Sequence, residues 1–175
     1  MKADLIQESE MKFGQYDIED LFYIEKSKLY KELGTDLKTV EFILRNKEDS
    51  IIFLEAKKSC PNEANKNETQ EKADSFEKYY SSITEKFMDS FQIYLALLLK
   101  RYSDTSEVGE NLYNIKNLNN IELKFVLVIK TAKDLAWLAG PKAILENRLM
   151  KYKKIWKIKI AVLNQELARK YNLIV

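Results

Sequence analysis

The feature that most constrains the fold is a pair of apolar segments separated by a short charged turn. The first segment runs from Val40 to Leu44 and the second from Ile51 to Ser59, with residues 45–50 between them. Both are rich in β-branched and aromatic residues, which is typical of a strand–turn–strand hairpin. Because both are apolar on both faces, we expect them to lie inside a sheet that is covered on each side.

Charged residues interrupt these apolar segments. Glu41 lies in the first segment, and Glu55 and Lys57 lie in the second. Burial of an unpaired charge costs on the order of several kcal/mol, so each of these residues needs a partner. Side chains alternate along a strand, so Glu55 and Lys57 point to the same face. Residues that break a local pattern in this way tend to mark functional sites.

The register of the hairpin predicts that the two acids meet. If residues 47–49 centre the turn, Glu41 lies directly opposite Glu55. Directly opposed residues have Cβ atoms about 4.5–5.5 Å apart. Two carboxylates that close repel each other unless one is protonated or a cation lies between them. The expected cation is Mg²⁺ or Mn²⁺, because hard divalent cations prefer oxygen ligands.

An acid on one strand, followed on the next strand by an acid, any residue and a lysine, resembles the motif of the PD-(D/E)XK nuclease superfamily. Here the motif is Glu41 with Glu55-Ala56-Lys57, and residues 58–61 resemble the small polar exit of that strand. The family usually has Asp at the first position, so Glu41 is a departure. The resemblance covers residues 17–130. It implies an α/β fold, the restriction-endonuclease-like three-layer sandwich, with a central mixed β-sheet flanked by helices. It also implies that Glu41 and Glu55 hold the metal and that Lys57 assists the attacking water.

Composition restricts the chemistry that is available. The 175 residues suit a single domain, and a net charge of +2 means that nucleic-acid binding needs a local basic patch. The absence of histidine excludes histidine-based acid–base catalysis and most zinc sites. Cys60 is the one cysteine, so we expect no internal disulfide and a reducing, cytoplasmic compartment. Residues 1–13 lack the apolar core of a signal peptide, and the longest apolar run, residues 93–99, is too short to span a membrane.

Hydrophobic periodicity predicts the remaining elements. We expect a single domain over residues 1–175, in the order helix, hairpin, helix, strand, helix, strand, helix. The predicted helices cover residues 17–33, 68–102, 135–153 with an interruption at Gly140-Pro141, and 165–171 after an Asn164 cap. The predicted strands are a central one at 121–130 and a lysine-bearing edge strand at 155–163. Residues 103–120 are expected to form a surface loop with a short element near Leu112.

Three further residues are candidates for the site. Glu25 falls in the apolar stripe of the first predicted helix, and an acid there needs a partner. In the resembled family the first core helix often contributes an acid to the metal site, although Glu25 could equally pair with Lys28 or another lysine. Lys86 and Gln92 lie on the long helix, where the resemblance implies contacts with the scissile phosphate or water. A snorkelling lysine and a hydrogen-bonded core glutamine are the structural alternatives.

A basic stretch extends over residues 142–159, with only Glu146 opposing it. Clustered lysine and arginine side chains contact nucleic-acid phosphates, and interleaved aromatics such as Tyr152 and Trp156 stack on unpaired bases. A solvated helix face is the alternative interpretation. The residues predicted to bind nucleic acid here are Arg148, Lys151, Lys153 and Lys154.

Two functions follow from these observations. The first is a metal-dependent nuclease that hydrolyses phosphodiester bonds, with DNA expected rather than RNA. The alternative is a non-catalytic nucleic-acid-binding or protein-interaction module on the same fold. A homodimer is left open. A nucleotide-binding enzyme is disfavoured, because the four glycines of the chain form no glycine-rich phosphate loop.

Overall fold

The protein is a mixed α/β structure, and a computed structural model describes residues 1–34, 36–46, 49–115, 118–132 and 134–175. The strands are, in chain order, β1 (Ile6–Glu8), β2 (Met11–Phe13), β3 (Leu21–Phe22), β4 (Phe42–Asn46), β5 (Ser50–Lys57), β6 (Glu122–Ile129) and β7 (Lys159–Asn164). The helices are α1 (Lys28–Leu33), α2 (Gln70–Leu98), α3 (Glu110–Tyr113), α4 (Ala139–Arg148), α5 (Met150–Trp156) and α6 (Gln165–Lys170). None of the described helices combines the length and the apolar character that a bilayer crossing requires.

Strands β3 to β7 lie side by side in chain order in one mixed sheet, and β1 and β2 form a separate hairpin. Strands β3, β4 and β5 are antiparallel neighbours, whereas β5, β6 and β7 run parallel. The central β4–β5 hairpin is therefore confirmed, and its ladder from Phe42–Leu54 to Asn46–Ser50 has the predicted register. Lys47 and Glu48, which belong to the predicted turn, lie outside the described residues.

The sheet is covered on both faces, as expected. On one face α2 packs against β5, where Phe53 makes edge-to-face contacts with Phe91 and Tyr94 at 5.9 and 5.6 Å between ring centroids. On the other face the β1–β2 hairpin packs against β4, with Phe13 and Phe42 5.5 Å apart. Each face thus has its own apolar core, and an acid on a central strand must be buried beneath one of them.

Helix α2 is one continuous element, so the serine pair 81–82 does not break it. Thr69 caps its first turn by accepting a hydrogen bond from the Lys72 N–H at 3.2 Å. The helix ends at Leu98, four residues before the predicted end. Its buried face includes Ile83 and Phe87, and it supports the end of β5 that carries the charged residues.

The prediction of one helix over residues 17–33 is wrong. Leu21 and Phe22 are neighbours in sequence, yet they are buried in the cores on opposite faces of the sheet. Only a strand places adjacent side chains on opposite faces, so pairing with β4 overrides the helical periodicity. The segment consists of 3₁₀ turns at Ile18–Asp20 and Ile24–Lys26, strand β3 and the short helix α1.

The region after β6 differs from the prediction in where its elements begin and end. Pro141 lies in the first turn of α4, as expected, but the helical break is at Leu149 and not at Gly140-Pro141. The strand predicted from residue 155 begins only at Lys159, because Trp156 still belongs to α5 and packs on Phe91 with ring centroids 5.1 Å apart. Strand β7 does form an edge of the sheet, as predicted.

Candidate active site

Charged side chains from separate elements converge where β5 ends. Glu55 and Lys57 come from β5, Glu41 directly precedes β4, Glu25 lies in the 3₁₀ turn before α1, and Lys86 comes from α2. Because β4 is antiparallel to β5, the start of β4 and the carboxyl end of β5 lie at the same end of the sheet. Ligands of open α/β sheets bind outside the carboxyl ends of the parallel strands. The structure therefore brings together five of the residues singled out from the sequence.

Glu55 is completely buried and lies between two ammonium groups. Its Oε1 is 2.7 Å from Lys57 Nζ and 3.0 Å from Lys86 Nζ, and its Oε2 accepts a hydrogen bond from Lys86 at 3.1 Å. Burial raises the pKa of Glu55, while Lys86 and Lys57 act in the opposite direction. For Lys86, burial disfavours the ammonium, but the nearby carboxylates outweigh burial and the pKa is raised. The arrangement favours a charged Lys86 beside Glu55.

Glu41 is only 5% exposed, and its Oε2 has no hydrogen-bond partner among the described residues. Its backbone is fixed on both sides. The Glu41 N–H donates to the Leu54 carbonyl at 3.0 Å, and the preceding Val40 N–H donates to Ser90 Oγ of α2 at 2.8 Å. Burial, the Glu55 charge and the neighbouring Glu25 carboxyl raise the pKa of Glu41 to about 9. A buried carboxylate oxygen without a partner is an unusual feature that needs an explanation.

Glu41 also belongs to a cluster of three carboxylates with Glu8 and Glu25. One oxygen from each lies within 4.8 Å of the others. Glu25 is also 3.8 Å from Lys86, so the cluster adjoins the Glu55 ion pairs. Three hard oxygen donors, one with an unsatisfied buried oxygen, suit Mg²⁺ or Mn²⁺. Of the two metal ligands expected from the sequence, Glu41 lies in this cluster, whereas Glu55 lies outside it.

Glu8 is the residue of the site that the sequence patterns do not predict. It ends β1, and the turn to β2 consists of Ser9 and Glu10, both with positive φ angles of 49° and 59°. Such two-residue turns usually contain glycine or asparagine, so the usual hairpin signal is absent. The only available signal is the alternation of the buried residues Ile6, Met11 and Phe13 with exposed polar ones.

The other predicted nucleic-acid contacts lie elsewhere. Gln92, Arg148, Lys151 and Lys154 line a groove between α2 and the α4–α5 segment. Gln92 is exposed and is not a core residue. It follows Lys86 by six positions, which turns its side chain by about 240° around the helix axis. Because of this rotation α2 does not present Gln92 and Lys86 on one face, and the groove is separate from the acidic cluster.

The prediction that only Glu146 opposes the basic stretch is wrong. Glu146 does pair with Lys153, at 2.8 Å. Arg148, however, makes a two-point contact with Glu77 of α2 at 2.7 and 2.8 Å, and Glu122 of β6 pairs with Lys159. Glu77 and Glu122 lie outside residues 142–159, so the charges within that stretch do not reveal them.

The chain contains a second glutamate–any residue–lysine sequence, and its surroundings in the structure differ from those of Glu55. Glu122-Leu123-Lys124 begins β6, at the opposite end of the sheet from Lys57. Glu122 lies 2.9 Å from Lys124, but its side chain is 32% exposed, and Lys159 and Lys124 lower its pKa. The same residue order thus forms a partly exposed ion pair at one end and a buried charged cluster at the other.

Comparisons of the chain with protein-family models, with curated proteins and with solved structures find no significant match. The functional assignment therefore depends on the geometry described above and on the motif in the sequence.

Proposed function

We propose that the chain is a metal-dependent nuclease with the restriction-endonuclease-like fold of the PD-(D/E)XK superfamily, hydrolysing phosphodiester bonds of nucleic acid, with DNA as the expected substrate. The observation that carries the proposal is the convergence of Glu25, Glu41, Glu55 and Lys57 at one end of the sheet. The mixed five-stranded sheet and the β4–β5 hairpin with its predicted register support the same assignment.

Glu25 and Glu41 would hold Mg²⁺ or Mn²⁺, with Glu55 beside them. A bound divalent cation would acidify a water molecule and neutralise charge on the phosphate. Such a ligand would satisfy the Oε2 of Glu41, which burial leaves without solvent and without a hydrogen-bond partner among the described residues. Glu55 contributes negative charge to the site and holds Lys57 in place.

The two lysines have different roles in this proposal. The Lys57 side chain is 32% exposed, so its ammonium can reach a phosphate oxygen or a water molecule at the mouth of the site. The Lys86 side chain is 15% exposed and contacts both Glu55 and Glu25. Lys57 is therefore the candidate catalytic residue, which would stabilise charge that develops on the phosphate. Lys86 is a positioning residue that holds the carboxyl groups of Glu55 and Glu25 in place.

One observation favours the non-catalytic alternative. Glu55 Oε1 lies 2.7 Å from Lys57 and 3.0 Å from Lys86, so its charge is balanced without any divalent cation. A binding module would need no more than this ion-pair network. It would leave the buried Oε2 of Glu41 without a ligand, and for that reason we place the nuclease first.

Cleavage by matched lysine variants tests the proposed function. Lys57→Ala removes the candidate catalytic lysine, and Lys124→Ala removes the lysine of the equivalent pair at the other end of the sheet. With Mg²⁺ or Mn²⁺ we expect the wild type and Lys124→Ala to cleave supercoiled plasmid, EDTA to stop cleavage, and Lys57→Ala to be about 100-fold slower or worse.

Two results would overturn this assignment. One is cleavage by Lys57→Ala at the wild-type rate, with the metal still required. The other is a wild type that cleaves neither duplex DNA, single-stranded DNA nor RNA with either cation.

A further inference from the structure

We propose that the N-terminal hairpin supplies a ligand to the cation, so that Glu8, Glu25 and Glu41 together form a three-carboxylate divalent-cation site. The proposal rests on the proposed function, since the cation is the one that the nuclease would use. It goes beyond that function in giving a role to a hairpin at residues 6–13, which lies outside the stretch that carries the motif.

The three carboxylates are close enough to converge on one cation. One oxygen of each lies within 4.8 Å of the others. Oxygens bound to one octahedral Mg²⁺ lie about 3 Å apart when adjacent and about 4 Å apart when opposite, because each lies about 2.0–2.1 Å from the metal. Small rotamer adjustments would bring all three oxygens to one cation.

The buried oxygen of Glu41 points independently to a ligand. Its residue is more than nine-tenths buried, and Oε2 lacks a hydrogen-bond partner in the part of the chain that the structure describes. Lys86 lies 3.8 Å from Glu25, and Lys26 lies 3.9 Å from Glu8 and 4.0 Å from Glu25. The Lys26 side chain is 61% exposed, so it neutralises Glu8 only weakly.

Glu8 retains an oxygen for a ligand. The Tyr23 hydroxyl donates a hydrogen bond to Glu8 Oε1, and Lys26 approaches the same oxygen. Both of these contacts are made by Oε1 of Glu8, and neither involves its Oε2. The hydroxyl bond orients the carboxylate while leaving one oxygen available.

The hairpin tip is attached to the sheet beside the site. Ser9 Oγ donates to the Ala56 carbonyl at 2.9 Å. Glu10 accepts hydrogen bonds from Lys58 at 2.5 Å and from Lys130 at 2.7 Å, the residues that follow β5 and β6. These contacts from two consecutive turn residues place the adjacent Glu8 at the acidic cluster. The fold therefore determines the position of Glu8.

Calorimetric titration of Mn²⁺ into matched variants tests the inference. Glu8→Gln keeps an acceptor for the Tyr23 hydroxyl but removes the charge, and Glu122→Gln removes one charge at the far end of the sheet. We expect Kd for Mn²⁺ to rise at least tenfold in Glu8→Gln and to stay unchanged in Glu122→Gln. Glu8→Ser, which shortens the side chain, should show the same loss of affinity, and the Mn²⁺-induced increase in Tm should shrink in parallel.

The outcomes separate the two proposals. Wild-type affinity in both Glu8 variants, with binding lost in Glu41→Gln, would overturn the role of the hairpin and leave the cation site of the proposed function in place. No Mn²⁺ binding by the wild type would overturn the three-carboxylate site, and the cleavage assay above then decides separately whether the nuclease assignment also fails.

Discussion

At the residue scale, the carboxyl group of Glu41 makes the stability of the protein depend on the pH of the solution. Burial, followed by the Glu55 charge and the Glu25 contact, raises the pKa of Glu41 to about 9 from an ordinary value of 4.5. Between these two values the folded protein keeps a proton that the unfolded chain has lost. The stabilisation is therefore complete below about pH 4.5 and is lost as the pH rises towards 9.

Replacement of Glu41 should remove this dependence. In EDTA, the free energy of unfolding of the wild type should fall between pH 5 and pH 9, by at most about 1.4 kcal/mol per pH unit from this group. Glu41→Gln cannot ionise, so its advantage over the wild type should grow with pH. Urea unfolding at pH 5, 7 and 9 measures this, and parallel curves for the two proteins would show that Glu41 ionises normally.

Lys86 should stabilise the fold through Glu55. Lys86→Met leaves the buried carboxylate with Lys57 alone, and removing one partner of a buried ion pair costs about 3 kcal/mol or more. The double variant Lys86→Met/Glu55→Gln should recover much of that loss, because no unpaired charge remains. Lys38→Met, which breaks an exposed pair with Glu85, should change stability by less than about 1 kcal/mol. Equal losses in the two single variants, measured by urea unfolding, would contradict this account.

The residues of the site were predictable only in part, for reasons that Glu55 and Glu122 illustrate. Each is followed two positions later by lysine, and each pairs with that lysine. Glu55 was selected because it lies within an apolar segment, and that context correctly indicated its burial. Glu8 has no such context, since its position depends on a turn whose residues carry no hairpin signal.

At the scale of elements, the contact between α2 and β4 holds the site in place. Ser90 on α2 accepts the hydrogen bond of the buried Val40 N–H, directly before Glu41. Ser90→Ala should leave that N–H unsatisfied and lower the free energy of unfolding by about 1–3 kcal/mol.

A matched serine on the same helix provides the control. Among the described residues, the Ser81 hydroxyl bonds only to Glu85 at the surface, so Ser81→Ala should change stability by about 0.5 kcal/mol or less. Chemical denaturation of both variants gives the comparison. A Ser90→Ala protein as stable as Ser81→Ala would mean that the Val40 N–H has another partner.

Elements with a long, regular pattern were predictable, and those determined by distant contacts were not. The β4–β5 hairpin, α2 and β6 each have a pattern that extends over most of their length. Residues 17–33 have a helical pattern too, but pairing of Leu21 and Phe22 with β4 prevails over it. Local periodicity carries no information about that pairing.

At the scale of the whole molecule, the site exists only when the sheet and its covering layers are assembled. Glu8 comes from the N-terminal hairpin, Glu25 from a 3₁₀ turn, Glu41 and Glu55 from the central hairpin, and Lys86 from α2. Linear spacing links only the central pair of acids. The folded sheet brings the other residues to the same end. The net charge of +2 gives no sign of this local concentration of acids.

The most direct test of the central claim is a calorimetric titration of Mn²⁺ into the wild type and into Glu41→Gln under identical conditions. The account predicts that the wild type binds Mn²⁺ and that the variant, although folded, binds at least tenfold more weakly. Equal binding by the two proteins, or no binding by the wild type, would contradict the claim that the buried carboxylate of Glu41 belongs to a cation site.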